Sequence, residues 1–174
     1  DAWIMEKDRG LSEAIVNEYR GLNLSHPPRL QWVASVDEAA KALATKPFDL
    51  IIIMAQASEF PFQEVYDKLK RPSPSIPIVR LNHRGPGQEI AKISADVPFV
   101  PDRTFMWSGD TKLLLATIKS IEDQLNVEHD TEIGAIRVII YIEDSPEYLS
   151  SLLPVFYQEL VTQTQAVMEQ GLNQ

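Results

Sequence analysis

Between Phe48 and Met54 the chain reads Phe-Asp-Leu-Ile-Ile-Ile-Met, and after Asp49 no polar residue interrupts it. A strand with one wet face alternates apolar and polar side chains. This one does not, so both of its faces must be covered, the condition of a parallel strand lying between layers of helices. The run therefore predicts a central parallel strand and demands helices on either side of it.

The flanking sequence supplies them. Leu11, Ile15, Tyr19 and Leu22 recur at helical spacing and place a helix at about 8–22. The segment from Asn23 to Pro28 ends it, because its two prolines forbid continuation. A short strand is expected over Arg29–Ser35, then a second helix with Asp37 near its start, running to about Thr45 and closed by Lys46-Pro47. After the apolar run come a helix over Pro61–Arg71, a strand over Ile76–Leu81, a short helix at about 86–94, a strand within Val97–Trp107 and a long helix from Gly109 to Asn126. In the long helix Leu114, Ile118, Ile121 and Leu125 share one face, and Lys112, Lys119, Glu122 and Asp123 fall largely off it. Strands and helices alternating at this spacing predict an α/β fold, a doubly wound, five-stranded parallel sheet of the flavodoxin-like kind. Such a sheet opens with a strand before its first helix, whereas this sequence starts at Asp1 already in or just ahead of that helix.

Composition excludes several classes of function. The 174 residues suit one domain of about 100–150 residues plus an extension. With 16 basic against 25 acidic residues and a net charge of −9, the chain lacks the concentrated Lys and Arg that bind phosphate backbones, so no nucleic-acid partner is expected. There is no cysteine, which removes disulfides, thiolate catalysis and cysteine-based zinc sites together. The longest apolar runs, Leu50–Ala55 and Val138–Ile142, fall far short of the roughly 20 residues that span a bilayer. No signal peptide precedes the first helix, so a cytoplasmic location without membrane attachment is expected.

Near the end stands a second apolar strand, Arg137-Val138-Ile139-Ile140-Tyr141-Ile142, which stops on Glu143-Asp144 and turns at Ser145-Pro146 into a helix reaching to about Gln170. Acids at the carboxyl end of a buried parallel strand are where open α/β folds hold a magnesium ion beside a phosphorylatable aspartate.

These segments together resemble a known family. Phe48 to Ile53, the strand Ser75-Ile76-Pro77-Ile78-Val79 and the helix Asp110 to Asn126 resemble the receiver domain of two-component response regulators, and Ile140 to Ser145 looks like the start of a second receiver. More narrowly, the run Ile121 to Asp130 and the stretch from Tyr148 through Tyr157 to Gly171-Leu172-Asn173 are similar to the amino-terminal region of a bacterial family. Its members carry tandem receiver-like domains ahead of a PEP/pyruvate-binding domain related to pyruvate phosphate dikinase and PEP synthase. The resemblance implies a pseudo-receiver over residues 1–126, a linker over 127–136, and the first strand and first helix of a second, truncated receiver over 137–174. The chain would then be a piece of a larger signalling protein whose other domains are its partners, and whose ATP- and PEP-handling machinery lies elsewhere.

A receiver needs two acids after its first strand for magnesium, an acceptor Asp at the end of the third, a Ser or Thr after the fourth and a Lys after the fifth. By the resemblance the acceptor position falls on Met54, the hydroxyl position on Asn82 and the lysine position on or beside Trp107. A thioether cannot become an acyl phosphate and an indole cannot supply the lysine's charge, so no catalytic residue and no cofactor is expected in this piece. Glu143 and Asp144 match the magnesium acids of the second receiver. With the other ligands missing, their expected work is helix capping and dipole stabilisation, with Mg²⁺ bound weakly at best.

Four further features receive weaker readings. Arg80, His83 and Arg84 cluster after the fourth strand, where an anion could be held, although a solvated loop is the simpler account. Gly85-Pro86-Gly87 reads as a turn, lacking the Lys and Ser/Thr of a phosphate loop. His26, His83 and His129 show no ligand spacing. Phe60-Pro61-Phe62 reads as a loop anchor or core.

The missing first strand also bears on assembly. A ten-residue linker reaches about 33 Å when extended, enough to cross three strand spacings of about 4.8 Å each. Residues 137–142 are therefore expected to fill the first-strand slot, either within the chain or by exchange between two chains. The helix after them carries Leu149, Leu152, Leu153, Phe156, Tyr157, Leu160, Val161 and Met168 on or near one broad face that needs a cover, which favours a homodimer, and Pro154 should bend it. Two functions remain: a non-catalytic signalling module, and a flavodoxin-like domain binding a nucleotide or flavin.

Overall fold

The computed structural model describes residues 10–55, 62–83, 101–134 and 137–172. In chain order its elements are α1 (Gly10–Gly21), α2 (Val36–Leu43), β1 (Ile51–Ala55), α3 (Phe62–Val65) continued by a π-helical stretch Tyr66–Lys70, β2 (Ile78–His83), β3 (Arg103–Trp107), α4 (Thr111–Glu132) and α5 (Pro146–Leu172). The chain divides into two compact units, residues 31–108 and residues 1–30 with 109–174.

The unit of residues 31–108 is built on a three-stranded parallel sheet in the order β1-β2-β3. The α/β class and the parallel pairing are as expected, and three of the five anticipated strands lie among the described residues. Ile51 stands opposite Ile78 and Ile53 opposite Arg80, while Val79 stands opposite Arg103 and Leu81 opposite Phe105. Alternation then sorts the side chains into two faces. Ile51, Ile53 and Ile78 lie on one, packed with Val36, Ala39, Ala40 and Leu43 of α2 and with Val65, Tyr66 and Leu69. Val79, Leu81, Phe105 and Trp107 lie on the other and are also buried. β2 and the carboxyl half of β3 are thus enclosed on both faces. The Phe48–Met54 run, expected to be central, instead forms the edge of the described sheet, where only Ile53 is fully buried.

Local chemistry sets the element ends. Ser35 caps α2 by accepting from the Glu38 backbone N–H at 3.2 Å, and the Glu38 carboxylate reaches back to the Ala34 N–H at 2.7 Å. This is a near-capping box, Ser-x-x-Glu, that places the cap two residues ahead of Asp37. Asp37 and Glu64 instead hold Lys68 from α2 and α3 at 2.6 and 2.7 Å, and their hydrogen bonds push the Lys68 ammonium up to about 12. At the amino end of the sheet Asp102 accepts from the Ile78 N–H at 2.7 Å and from Lys70 at 2.9 Å, while its own N–H donates to the Ile78 carbonyl.

The strand expected over 29–35 does not form. In the anticipated strand order it would pair only with the first strand, and among the described residues no strand stands there to receive it; Trp32 is 61% exposed. The expected short helix at 86–94, Phe60-Pro61 and Gly85-Pro86-Gly87 lie outside the described residues.

The other unit packs α1 and α5 against α4. Ile15 and Tyr19 of α1, Leu153 of α5 and the run Leu113–Ile118 with Ser120 and Ile121 of α4 are buried. Leu114, Ile118 and Ile121 keep their expected places, but Leu125 is 57% exposed. Thr111 donates to Glu18 at 2.6 Å, and Tyr157 to Asp123 at 2.6 Å. α1 stops before either proline: Asn23 adopts a left-handed φ of 49° and the Leu24 N–H returns to the Tyr19 carbonyl at 2.8 Å. Helix α4 starts at the Asp110 cap and runs on to Glu132, so the first six residues of the expected linker are helical. α5 passes through Pro154 as one continuous helix.

Residues 137–142 form no strand. Ile139, Ile140 and Ile142 are 72%, 84% and 87% exposed, so the expected filling of a first-strand slot within the chain does not occur.

Candidate functional site

In a parallel sheet every strand presents its carboxyl end at the same edge. The pairings Ala55 with Asn82, Asn82 with Met106 and His83 with Trp107 bring the three expected positions, Met54, Asn82 and Trp107, to that edge within one residue of a common level. Such an edge is where open α/β folds place their chemistry. Alternation puts the three on different faces: Asn82 shares its face with Ile53, Arg80 and Met106, and Met54 shares its own with Leu81 and Trp107.

None of the three can carry a phosphoryl group. The Met54 thioether is half-buried and has no acidic oxygen. The Asn82 side chain is 6% exposed, and neither its amide nitrogen nor its amide oxygen has a hydrogen-bond partner; the Trp107 indole N–H, in a residue 1% exposed, has none either. Unpaired buried amides are costly and uncommon in native folds, so Asn82 is the edge's most unusual group.

The Arg80, His83 and Arg84 cluster is only partly visible. Arg80 is buried at 2% exposure on the Asn82 face, and that burial pulls its guanidinium below the ordinary arginine value. Of His83 the strand backbone alone is described, and Arg84 lies outside the described residues.

The acid pair at the far end is engaged locally. The Glu143 carboxylate accepts from the Ser145 N–H at 2.9 Å, Ser145 Oγ accepts from the Tyr148 N–H at 3.4 Å, and Pro146 opens α5. Partial desolvation, then the Glu143 charge and hydrogen bond, raise the Tyr141 hydroxyl. These are the contacts of a helix entry. Among the described residues no three His, Asp or Glu side chains converge as a metal site.

Sequence reasoning missed Asp102 and the recess between α1, α4 and α5, which is lined by Glu18, Lys112, Pro154, Tyr157 and Gln158 and holds about 140 Å³. Asp102 gave no signal, because a lone acid before a strand is indistinguishable from a solvated one. The recess is well below the roughly 300–1,000 Å³ of small-molecule sites. No described helix is long and apolar enough to cross a membrane.

No family model, curated protein or solved structure matches this chain.

Proposed function

We propose that this chain is a non-catalytic signalling module, a receiver-like domain that has lost phosphotransfer and that regulates or couples to a PEP/pyruvate-binding phosphotransferase domain of its parent protein in the cytoplasm. The observation that carries the reading is Met54 at the carboxyl end of β1, one residue short of the level of Asn82, with Trp107 one residue beyond it. An aspartate there would be the nucleophile, and a thioether is chemically unable to replace it. With Asn82 in place of a hydroxyl and Trp107 in place of a cation, neither position can sense or neutralise an added phosphoryl group. What remains is a folded surface that other domains can read. Titration with Mg²⁺ and beryllium fluoride, a phosphoryl mimic, tests this: the Asn82 side-chain amide and Trp107 indole NMR signals stay fixed, and a saturable shift of both would refute it.

The second reading, a flavodoxin-like domain binding a nucleotide or flavin, is favoured by the unpaired Asn82 amide at the edge where such ligands sit. It predicts a ligand-dependent change in those two signals when FMN or ATP is added.

A further inference from the structure

Among the described residues, the apolar segment 138–142 joins no sheet and the outer edge of β1 carries no strand. Val138, Ile139, Ile140, Tyr141 and Ile142 are all exposed, and Tyr141 rests on Phe156 of α5 with ring centroids 5.3 Å apart. Exposed apolar side chains continue along α5 at Tyr148, Leu152, Val155, Phe156 and Leu160. Consecutive exposed apolar residues of this kind mark a surface that is covered in the working state. On the other side, β1 bonds to β2 alone; among the described residues its second edge carries no strand, and Ile51, Ile52 and Met54 are only half-buried.

We propose that residues 138–142 of one copy add to the free edge of β1 in a second copy of this chain, and reciprocally. The match is chemical on both faces. Beside β1, alternate residues of an incoming strand extend the Ile51/Ile53 face and the Ile52/Met54 face, so the strand must be apolar on both sides. Val-Ile-Ile-Tyr-Ile meets that requirement and equals β1 in length; an ordinary amphipathic strand would place polar groups on one of the faces. The edge offers unpaired backbone groups that template such an addition. Reciprocal exchange covers two exposed segments and two β1 edges at once. Each copy carries a charge of −9, so apolar association works against repulsion and strengthens with salt, the reverse of an ion-paired interface. This pairing does not depend on the proposed signalling role.

The test uses the whole chain, sedimentation and hydrogen exchange. The wild type is expected to dimerise below about 100 µM, more tightly as salt rises, with slowed exchange at 51–55 and 138–142. Ile140→Asp with Ile142→Asp, at positions 84% and 87% exposed, leaves the circular dichroism unchanged and weakens the dimer by at least about tenfold. A wild type that stays monomeric, a dimer indifferent to the double substitution, or a dimer protected elsewhere would each overturn the proposal. So would a monomer protected at 138–142, which would assign that strand to its own chain.

Discussion

At the scale of single residues, burial and pairing decide what each side chain can do. Asn82 has a buried amide with both ends unpartnered, so exchanging it for an apolar residue of similar volume removes a desolvation cost without removing a bond. Asn82→Leu is expected to leave stability unchanged or raise it by up to about 1 kcal/mol in chemical denaturation. A loss of that size would mean the amide has a partner. Tyr19 is the complementary case, its hydroxyl donating to Glu122 at 3.4 Å from within the core. Burial first, and the Glu122 carboxylate second, raise its hydroxyl above the ordinary tyrosine value. A raised folded pKa means stability that is complete below the unfolded value, near pH 10, and lost as pH climbs through the folded one. Thermal unfolding should therefore fall steeply in alkaline buffer, and Tyr19→Phe should flatten that fall while costing about 0.5–1 kcal/mol at neutral pH.

At the scale of elements, the legible features were those that a residue pattern sets locally. The β-branched run at 51–55 and the helical spacing of Ile15 with Tyr19 found their elements within a few residues. Strands that depend on a distant neighbour were not legible. Residues 29–35 and 137–142 have the composition of strands, but a strand is stable only when another edge completes its ladder, and composition says nothing about that edge. The Ser35 cap was readable, since Ser-x-x-Glu precedes the apolar positions of α2, and it outcompetes Asp37 because its hydroxyl reaches the Glu38 N–H. Ser35→Ala should cost about 1 kcal/mol. In α4 the buried face stops at Ile121, so Leu114→Ala should cost about 2–5 kcal/mol and Leu125→Ala less than about 0.5 kcal/mol by the same denaturation assay. Equal losses would contradict the helix's placement.

At the scale of the whole molecule, the strand runs were legible enough that Met54, Asn82 and Trp107, the positions the resemblance singled out, fall near one edge in the register of β1, β2 and β3. The helix-entry place of Glu143-Asp144 was legible because Ser145-Pro146 marks the start of α5, and the Glu143 carboxylate accepts from the Ser145 N–H there. On the proposed reading, a thioether where the nucleophile would stand leaves transmission by surface and not by phosphoryl transfer. The most direct measurement is the intact mass of the 174-residue chain after incubation with acetyl phosphate and Mg²⁺. The expected result is an unmodified mass throughout; a stable phosphoryl adduct that maps to the sheet's carboxyl edge would contradict the account.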